Sequence, residues 1–424
     1  MRRRHPSPRV RSCRFAALAG AATFALLARG APARALTPED IEKASGAATS
    51  GLVSVTERLA SDDFGGRNND SPTSPRVERY LLSRLRALGE GLDPAGLGDD
   101  AYRQPFVQAG QRGTNLLALI PGRERPDEVV IVGAHYDHLG SCRSSPSGTV
   151  CNGATDNATG VAAVLAVGRA MRRLPEPPRR SVVLALWDAE EDGLLGSAYY
   201  VAHPLVPLES TVAYVNFDIL GADLIPSLVD VSFALGAETG GDSFADLVQQ
   251  AIDRETLGTR RLSYIFGQLR SDYANFVAAE VPTVFFSDST GACYHTTGDD
   301  FALVDQSKLR QQSRIAFRIV AGLAEQSERP RFVPPNPALA TYDDAVALAD
   351  VIAMGMSDLH LFPRDVRPGL LDILASLEAI VEDGPDAFDA ADAQTAVNAA
   401  ATTIDAVTAL ECRAPQRSGL ARRP

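Results

Sequence analysis

Five short segments each close a hydrophobic run with side chains that bind metal ions or move protons. They are GAHYDHLG at 133–140, GATDNATG at 153–160, LWDAEEDG at 186–193, VNFDILG at 215–221 and CYHTTGDD at 293–300. Together they supply His135, Asp156, Glu190, Glu191, Asp218 and His295. Two neutral imidazoles and three carboxylates are the donors that hold a pair of Zn²⁺ ions, with one carboxylate left over as a base. In that reading Asp156 bridges the two metals, His135 and Asp218 complete one, and Glu191 with His295 complete the other. Glu190 then faces the attacking water as general base and later serves as acid toward a leaving amine. Asp137, two residues beyond His135, would fix the ring's orientation and raise its basicity. Tyr294, beside His295, could donate a hydrogen bond to the oxyanion of an attacked carbonyl.

Each segment alone has an ordinary explanation. H-x-D-H can be a capped turn, the Asp-Asn pair an N-cap, Glu-Glu before Asp-Gly a solvated acidic turn, and Asp218 a strand-end cap. His203 and His360 lack any such setting and read as structural. His138 reads as a rim or supporting residue outside the ligand set. The joint order of the five segments, each at the end of an apolar run, is what favours a metal site.

Those runs must be positioned by a scaffold. Residues 115–120, 129–133, 181–187, 211–217 and 283–286 are short, apolar and rich in β-formers, and are expected as strands. Residues 38–60, 75–90, 161–171, 244–252, 273–279 and 308–324 carry helical spacing. Strands alternating with helices predict an α/β fold, a mostly parallel central sheet with helices on both faces. In such sheets ligands bind at the carboxyl ends of strands, so side chains from distant segments converge on one edge. The Pro-rich stretch at 330–337 reads as a linker. Beyond it, 338–424 holds Ala-rich amphipathic stretches near 339–356, 366–382 and 386–411, expected as a C-terminal helical appendage.

The first 35 of the 424 residues differ from the rest: a basic start, an apolar run from Phe15 to Ala28, and Ala33-Arg34-Ala35 as an A-x-A cleavage pattern. This reads as a secretory signal cleaved near Ala35, which implies a secreted or periplasmic protein and no stable membrane span. The segment holds eight Arg and no acid. Its removal leaves 33 of the 41 basic residues against 53 acidic ones, a net charge of −20. Such a surface argues against nucleic acid as a partner. Nothing in the sequence marks an oligomeric state. Four cysteines remain, which permits two bridges in an exported protein. Cys142 with Cys151 would close a Ser/Gly/Pro loop between two candidate ligands, and Cys293 with Cys412 is permitted. A metal-ligand role for Cys293 is the weaker reading.

The order of motifs resembles the M28 family of zinc metallopeptidases, the aminopeptidase and PSMA-like clan. The resemblance spans about residues 55–325. It includes LASDDFGGR at 59–67, similar to the family's "GR" signature, then GAHYDHLG, GATDNATG, DAEEDGLLGS, NFDILG, SDYANF and YHTTGDD. It implies a single zinc peptidase domain at 36–329 with two zinc ions. It also implies His135, Asp156, Glu191, Asp218 and His295 as ligands, Glu190 as base and Asp137 as supporting carboxylate. This chain has Ser271-Asp272-Tyr273 where many relatives have SDH, and GATDN where GADDN is commoner.

An exported exopeptidase acting on peptides, most simply an aminopeptidase, is the expected function. A carboxypeptidase of the same fold would need an Arg for the substrate carboxylate, and Arg270 beside SDYANF is available. A glutaminyl cyclase-like acyltransferase would use one zinc, and the intact His135 argues for two. A binding ectodomain would be expected to have lost ligands or base. A Ser-His-Asp hydrolase would show a G-x-S-x-G elbow, which is missing from the sequence.

Overall fold

The computed structural model describes residues 34–145, 148–335 and 340–412. All but the last two residues of the expected signal segment lie outside the described residues. So do 336–339, around the expected linker's end.

The strands are β1 (Glu90–Gly91), β2 (Arg103–Gln108), β3 (Gln111–Ile120), β4 (Arg125–His135), β5 (Gly140–Ser145), β6 (Gly148–Cys151), β7 (Arg180–Trp187), β8 (Thr211–Phe217), β9 (Val231–Leu235), β10 (Gly258–Leu262) and β11 (Thr283–Ser287). Nine of them form one sheet in the order β1-β3-β7-β4-β8-β11-β9-β10, with β2 also paired to β3. The central strands β7, β4, β8 and β11 are parallel, as the alternation of strands and helices predicts. The flanks are antiparallel, at β3 against β7 and at β9 against β11. β5 and β6 form a separate hairpin, bridged by the Cys142–Cys151 disulfide.

Period-two alternation sends successive side chains of each central strand into different layers. Val130, Val132, Val182, Leu184 and Leu186 belong to one core, while Val129, Ile131, Val183, Ala185 and Trp187 belong to the other. Both faces are therefore apolar, and both are covered. The helices are α1 (Pro38–Ser45), α2 (Leu52–Leu59), α3 (Ser74–Leu85), α4 (Thr159–Met171), α5 (Leu195–Ala202), α6 (Asp242–Ile252), α7 (Tyr273–Ala278), α8 (Gln306–Glu325), α9 (Tyr342–Gly355), α10 (Arg367–Asp383) and α11 (Ala390–Thr408). Helices α1–α4, α6 and α8 supply the first core. The second takes Tyr200 from α5 and Phe276 from α7, together with residues of α9, α10 and α11.

The C-terminal helices are thus part of the sheet's cover. Ala345, Leu348, Ala349 and Ile352 of α9 and Ala393, Ala396 and Ala400 of α11 recur at helical spacing and enter the same core as Leu235 and Leu262. Asp344 caps the start of α9 through a capping box with Thr341. Its carboxylate also accepts from Ser263 N (2.7 Å) and Ser263 Oγ (2.6 Å), tying α9 to the loop after β10.

Three differences from expectation have local causes. The single helix expected over 38–60 is broken at Gly51, whose φ of 74° ends helical continuity. β2 contains Pro105, and β10 contains Arg260 and Arg261. Both are edge strands, where proline and charge are tolerated and the apolar run that marks a strand is lost.

Candidate active site

His135 is the last residue of β4 and pairs in register with Trp187 at the end of β7. Glu190 and Glu191 lie three and four residues beyond Trp187, and Asp218 directly follows β8. Because β7, β4 and β8 are adjacent and parallel, their ends bring these groups to one edge. The ladder extends past the strands through Tyr136 N to Trp187 O (2.8 Å) and Asp218 N to Phe286 O (3.1 Å). The backbone then turns sharply: Ala189, Ile219 and His295 have φ of 56°, 60° and 55°. Left-handed conformations at residues other than glycine cost energy and collect where a side chain must be aimed.

The chain beneath the edge is tightly packed and hydrogen-bonded. Trp187 Nε1 donates to Tyr214 Oη (2.8 Å), Tyr214 Oη to Asn216 Oδ1 (2.5 Å), and Asn216 Nδ2 to Ser271 Oγ (2.8 Å). Gly133 sits over this chain. A Cβ there would stand 2.8 Å from Trp187 Nε1, so the position admits no side chain.

Six side chains meet at the edge. His135 Nε2 is 3.2 Å from Asp156 Oδ1, 3.3 Å from Asp218 Oδ1 and 4.0 Å from Glu190 Oε2. His295 Nε2 is 3.2 Å from Asp156 Oδ2 and 3.1 Å from Glu191 Oε2. Asp156 therefore lies between two clusters, one oxygen toward each imidazole. His135, Glu190 and Asp218 form one group able to hold a cation, and His135, Asp156 and Glu191 another.

Residues 115–320, a span containing all six, match peptidase family M28. Over that stretch the chain is similar to peptidase family M28. It is 28% identical over 331 residues to leupeptin-inactivating enzyme 1 of Streptomyces exfoliatus, covering 73% of this chain and 70% of that protein. It is 29% identical over 273 residues to aminopeptidase NAALADL1 of Rattus norvegicus, covering 56% of this chain but only 35% of the rat protein. Among solved structures, the Legionella pneumophila LapA aminopeptidase superposes with a TM-score of 0.55 at 19% identity, covering 70% of this chain and 76% of that one. Others are named as probable glutamate carboxypeptidases and as glutaminyl cyclases.

The donor set of this site fits zinc. Ligands about 2.0–2.1 Å from a tetrahedral zinc stand about 3.3 Å from one another. The nitrogen–oxygen spacings around His135 and His295 are 3.1–3.3 Å. His295 Nε2 is buried beside two carboxylates without hydrogen-bond geometry to either, as expected of a ligand atom.

The electrostatics of the cluster follow from burial. Burial raises the Glu190 pKa well above the usual carboxylate range; the His135 ring opposes this, and Asp218, Asp272 and Glu191 add to it. Burial also disfavours charge on His135, but Glu190 and Asp218 override it and push that ring's pKa up. Asp272 is pushed up to about 7, first by burial. Strongly shifted carboxyl groups in one cleft are a mark of acid–base sites.

The supporting residues of the site are only partly those the sequence suggests. Asp137 accepts Glu190 N (3.1 Å) and Glu191 N (3.2 Å) on its two oxygens, while His135 Nδ1 faces the Asp137 carbonyl at 3.2 Å. Tyr294 stacks on His295 with centroids 3.8 Å apart. His138, set aside in the sequence, has Nδ1 2.7 Å from Glu191 Oε1. Asp299, given no role from the sequence, accepts Thr155 N (2.9 Å), Thr155 Oγ1 (2.8 Å) and Asp156 N (3.1 Å), and so fixes the Asp156 loop. Arg67 of the "GR" signature is fully buried and donates to the carbonyls of Tyr136, Asn152 and Gly153, joining both ligand-bearing loops. The first Asp of GDD and the Arg of an FGGR turn are the only marks these two leave in the sequence.

A cavity of about 150 Å³ lies beside the cluster, lined by Asp156, Glu190 and Asp218 and by apolar residues including Phe233, Leu262 and Phe285. Among the described residues lining it, Arg270 is the one cation; it is exposed and lies 3.5 Å from Tyr294 Oη.

Proposed function

We propose that this chain is an exported zinc-dependent aminopeptidase that removes N-terminal residues from peptides at a site for two zinc ions. The observation that carries the reading is the lining of the cavity beside the cluster: among the described residues its one cation is the exposed Arg270, so no buried cation is there to hold a terminal carboxylate. Asp156 would bridge the two ions, His135 and Asp218 holding one and Glu191 and His295 the other. Bound zinc would supply Lewis acidity toward a carbonyl and lower the pKa of water.

The chain's own groups do the rest. Glu190, beside the cluster with its Oε2 4.0 Å from His135 Nε2, takes the proton of the attacking water and delivers it to the leaving amine. The Tyr294 hydroxyl, at the cavity beside His295, donates to the developing oxyanion. Asp137 holds the Glu190–Glu191 turn through its two amides, so base and ligand keep their relative placement. The name of the Streptomyces relative and the aminopeptidase names among the others agree with peptide hydrolysis. Export is supported by the basic and apolar start of the sequence and by the two disulfides, Cys142–Cys151 and Cys293–Cys412, since such bonds persist in oxidising compartments.

The test is hydrolysis of aminoacyl p-nitroanilides and short peptides by metal-replete protein, with bound zinc quantified. Release of the N-terminal residue, loss of that release on N-acetylation, and two zinc ions per chain are expected. A single zinc with pyroglutamate formed from N-terminal Gln would replace this reading with a cyclase. Release from the C-terminus of N-blocked peptides would replace it with a carboxypeptidase.

A further inference from the structure

We propose that the C-terminal helices α9 and α11 form the far wall of the pocket that receives the substrate's N-terminal side chain, and so determine which residues the enzyme accepts. The inference rests on the aminopeptidase reading and adds to it a specificity element that lies outside the segment matched to the family. The near wall of the cavity is built by the sheet, with Phe233 and Leu235 from β9, Leu262 from β10 and Phe285 from β11. The opposite wall comes from the tail. Leu348, Val351 and Ile352 project from α9, and Ala400, Thr403, Ile404 and Val407 from α11. The last four are spaced i, i+3, i+4, i+7 and so form one stripe of the helix.

Three observations tie this wall to the reacting groups. Asp156, Glu190 and Asp218 line the same cavity, so a side chain held in it lies beside the reacting groups. Cys412, four residues beyond α11, is disulfide-bonded to Cys293, two residues before His295. Thr408 Oγ1 at the end of α11 donates to Thr290 O (3.1 Å), and Thr290 itself lines the cavity. The last helix is therefore fastened to the loop that carries Tyr294 and His295.

The wall also defines the ligand's chemistry. An apolar cavity of about 150 Å³ is the size that accepts a benzene ring. The lining is mainly aliphatic and aromatic. Within the tail's wall the buried hydroxyl of Thr403 has no hydrogen-bond partner. A charged side chain would lose its hydration there without a partner, whereas Leu, Met or Phe would fill the space.

The experiment compares wild type with Ile404→Trp, which fills the pocket, and Ile404→Ala, which deepens it. The readout is kcat/KM for alanyl, leucyl, phenylalanyl and tryptophanyl p-nitroanilides on zinc-loaded protein. Filling the pocket is expected to lower the phenylalanyl-to-alanyl ratio at least tenfold, and deepening it to raise the tryptophanyl-to-leucyl ratio severalfold, in line with pocket discrimination of 10- to 200-fold per methylene-sized change. Folded, zinc-loaded variants with unchanged ratios would overturn the proposal. Calorimetric binding of indole keeps the two readings apart. If wild type cleaves no aminoacyl substrate, the aminopeptidase reading fails. Indole bound by wild type and lost in Ile404→Trp would then still support the pocket wall, and indole bound equally by both would overturn it.

Discussion

The carboxylate of Asp137 accepts the backbone N–H of Glu190 at 3.1 Å, and its second oxygen accepts that of Glu191 at 3.2 Å. One side chain two residues beyond His135 therefore sets the position of both Glu190 and Glu191 in the turn that follows β7. Asp137→Asn keeps the shape but offers a single acceptor oxygen, so one amide in a buried turn loses its partner. Zinc affinity and kcat/KM are each expected to fall about 10- to 100-fold, as for other residues that orient metal ligands. Zinc titration and kinetics on the same preparation check this; a variant with normal affinity and rate would leave Asp137 only a packing role.

Glu190→Gln separates base from ligand. The amide cannot take a proton from water, and Glu190 stands 4.0 Å from His135 Nε2, farther than Asp156 at 3.2 Å and Asp218 at 3.3 Å. Loss of roughly 10²–10⁴ in kcat with zinc content unchanged is the expected outcome. Chelation should abolish wild-type activity and zinc should restore it, whereas zinc should not restore the variant. Comparable loss of zinc and activity would instead make Glu190 a ligand.

Three of the site's groups are legible in sequence because they end or follow buried strands, whereas Asp156 lies in the turn before α4 and His295 in the loop eight residues after β11. His135, Glu190 and Asp218 stand where an apolar run of β4, β7 or β8 gives way to polar residues, and the parallel order of those strands brings them together. Asp299 is legible only as the first acid of a turn, since its partners Thr155 and Asp156 lie more than 140 residues away. β2 and β10 escape for a different reason: both are edge strands, one carrying Pro105 and the other two arginines. The stripe of α11 announces a helix with a buried face, but a stripe that lines a pocket and one that fills a core have the same spacing. The tail's place at the cavity therefore emerges only in three dimensions.

Asp299→Ala tests the least legible of these contacts. It removes the acceptor for three donors of the Thr155–Asp156 loop, all buried, and buried donors left without partners cost about 1–3 kcal/mol each. A fall in unfolding free energy on the order of 3 kcal/mol or more is expected, with weakened zinc binding because Asp156 is no longer held between the two imidazoles. Urea unfolding of the zinc-free protein measures the first effect apart from the second. Unaltered stability would mean that the loop finds other partners.

Cys412→Ser breaks the link between α11 and the His295 loop. The bond joins residues 119 apart in sequence, and closing a loop of that size in the unfolded chain contributes about 2–4 kcal/mol. The midpoint of urea unfolding should fall accordingly, and wild type under reductant should fall with it if Cys142–Cys151 contributes less. Because the bond also fixes the pocket wall, the ratio of phenylalanyl to alanyl hydrolysis should drift from its wild-type value before the protein unfolds. An unchanged midpoint would show that packing of Ala396 and Ala400 holds the helix without the covalent tie.

Glu238 gives a pH dependence remote from the metal ligands. Burial pushes its carboxyl up to about 7, although the Tyr264 N–H donated to Oε1 at 2.7 Å works in the opposite direction. Between the ordinary value of 4.5 and about 7 the folded protein keeps a proton that the unfolded chain releases. Linkage then requires folding stability to be fully supported by this group below pH 4.5 and to decline as pH rises through 7. Glu238→Gln retains the oxygen that accepts from Tyr264 but does not titrate. The stability difference between wild type and variant should therefore move steadily in the variant's favour from pH 5 to pH 7.5, by an amount on the order of 1–3 kcal/mol, and level off above. Urea midpoints taken at half-unit intervals would show it, and parallel curves across that range would mean that the carboxylate is solvated in the folded state.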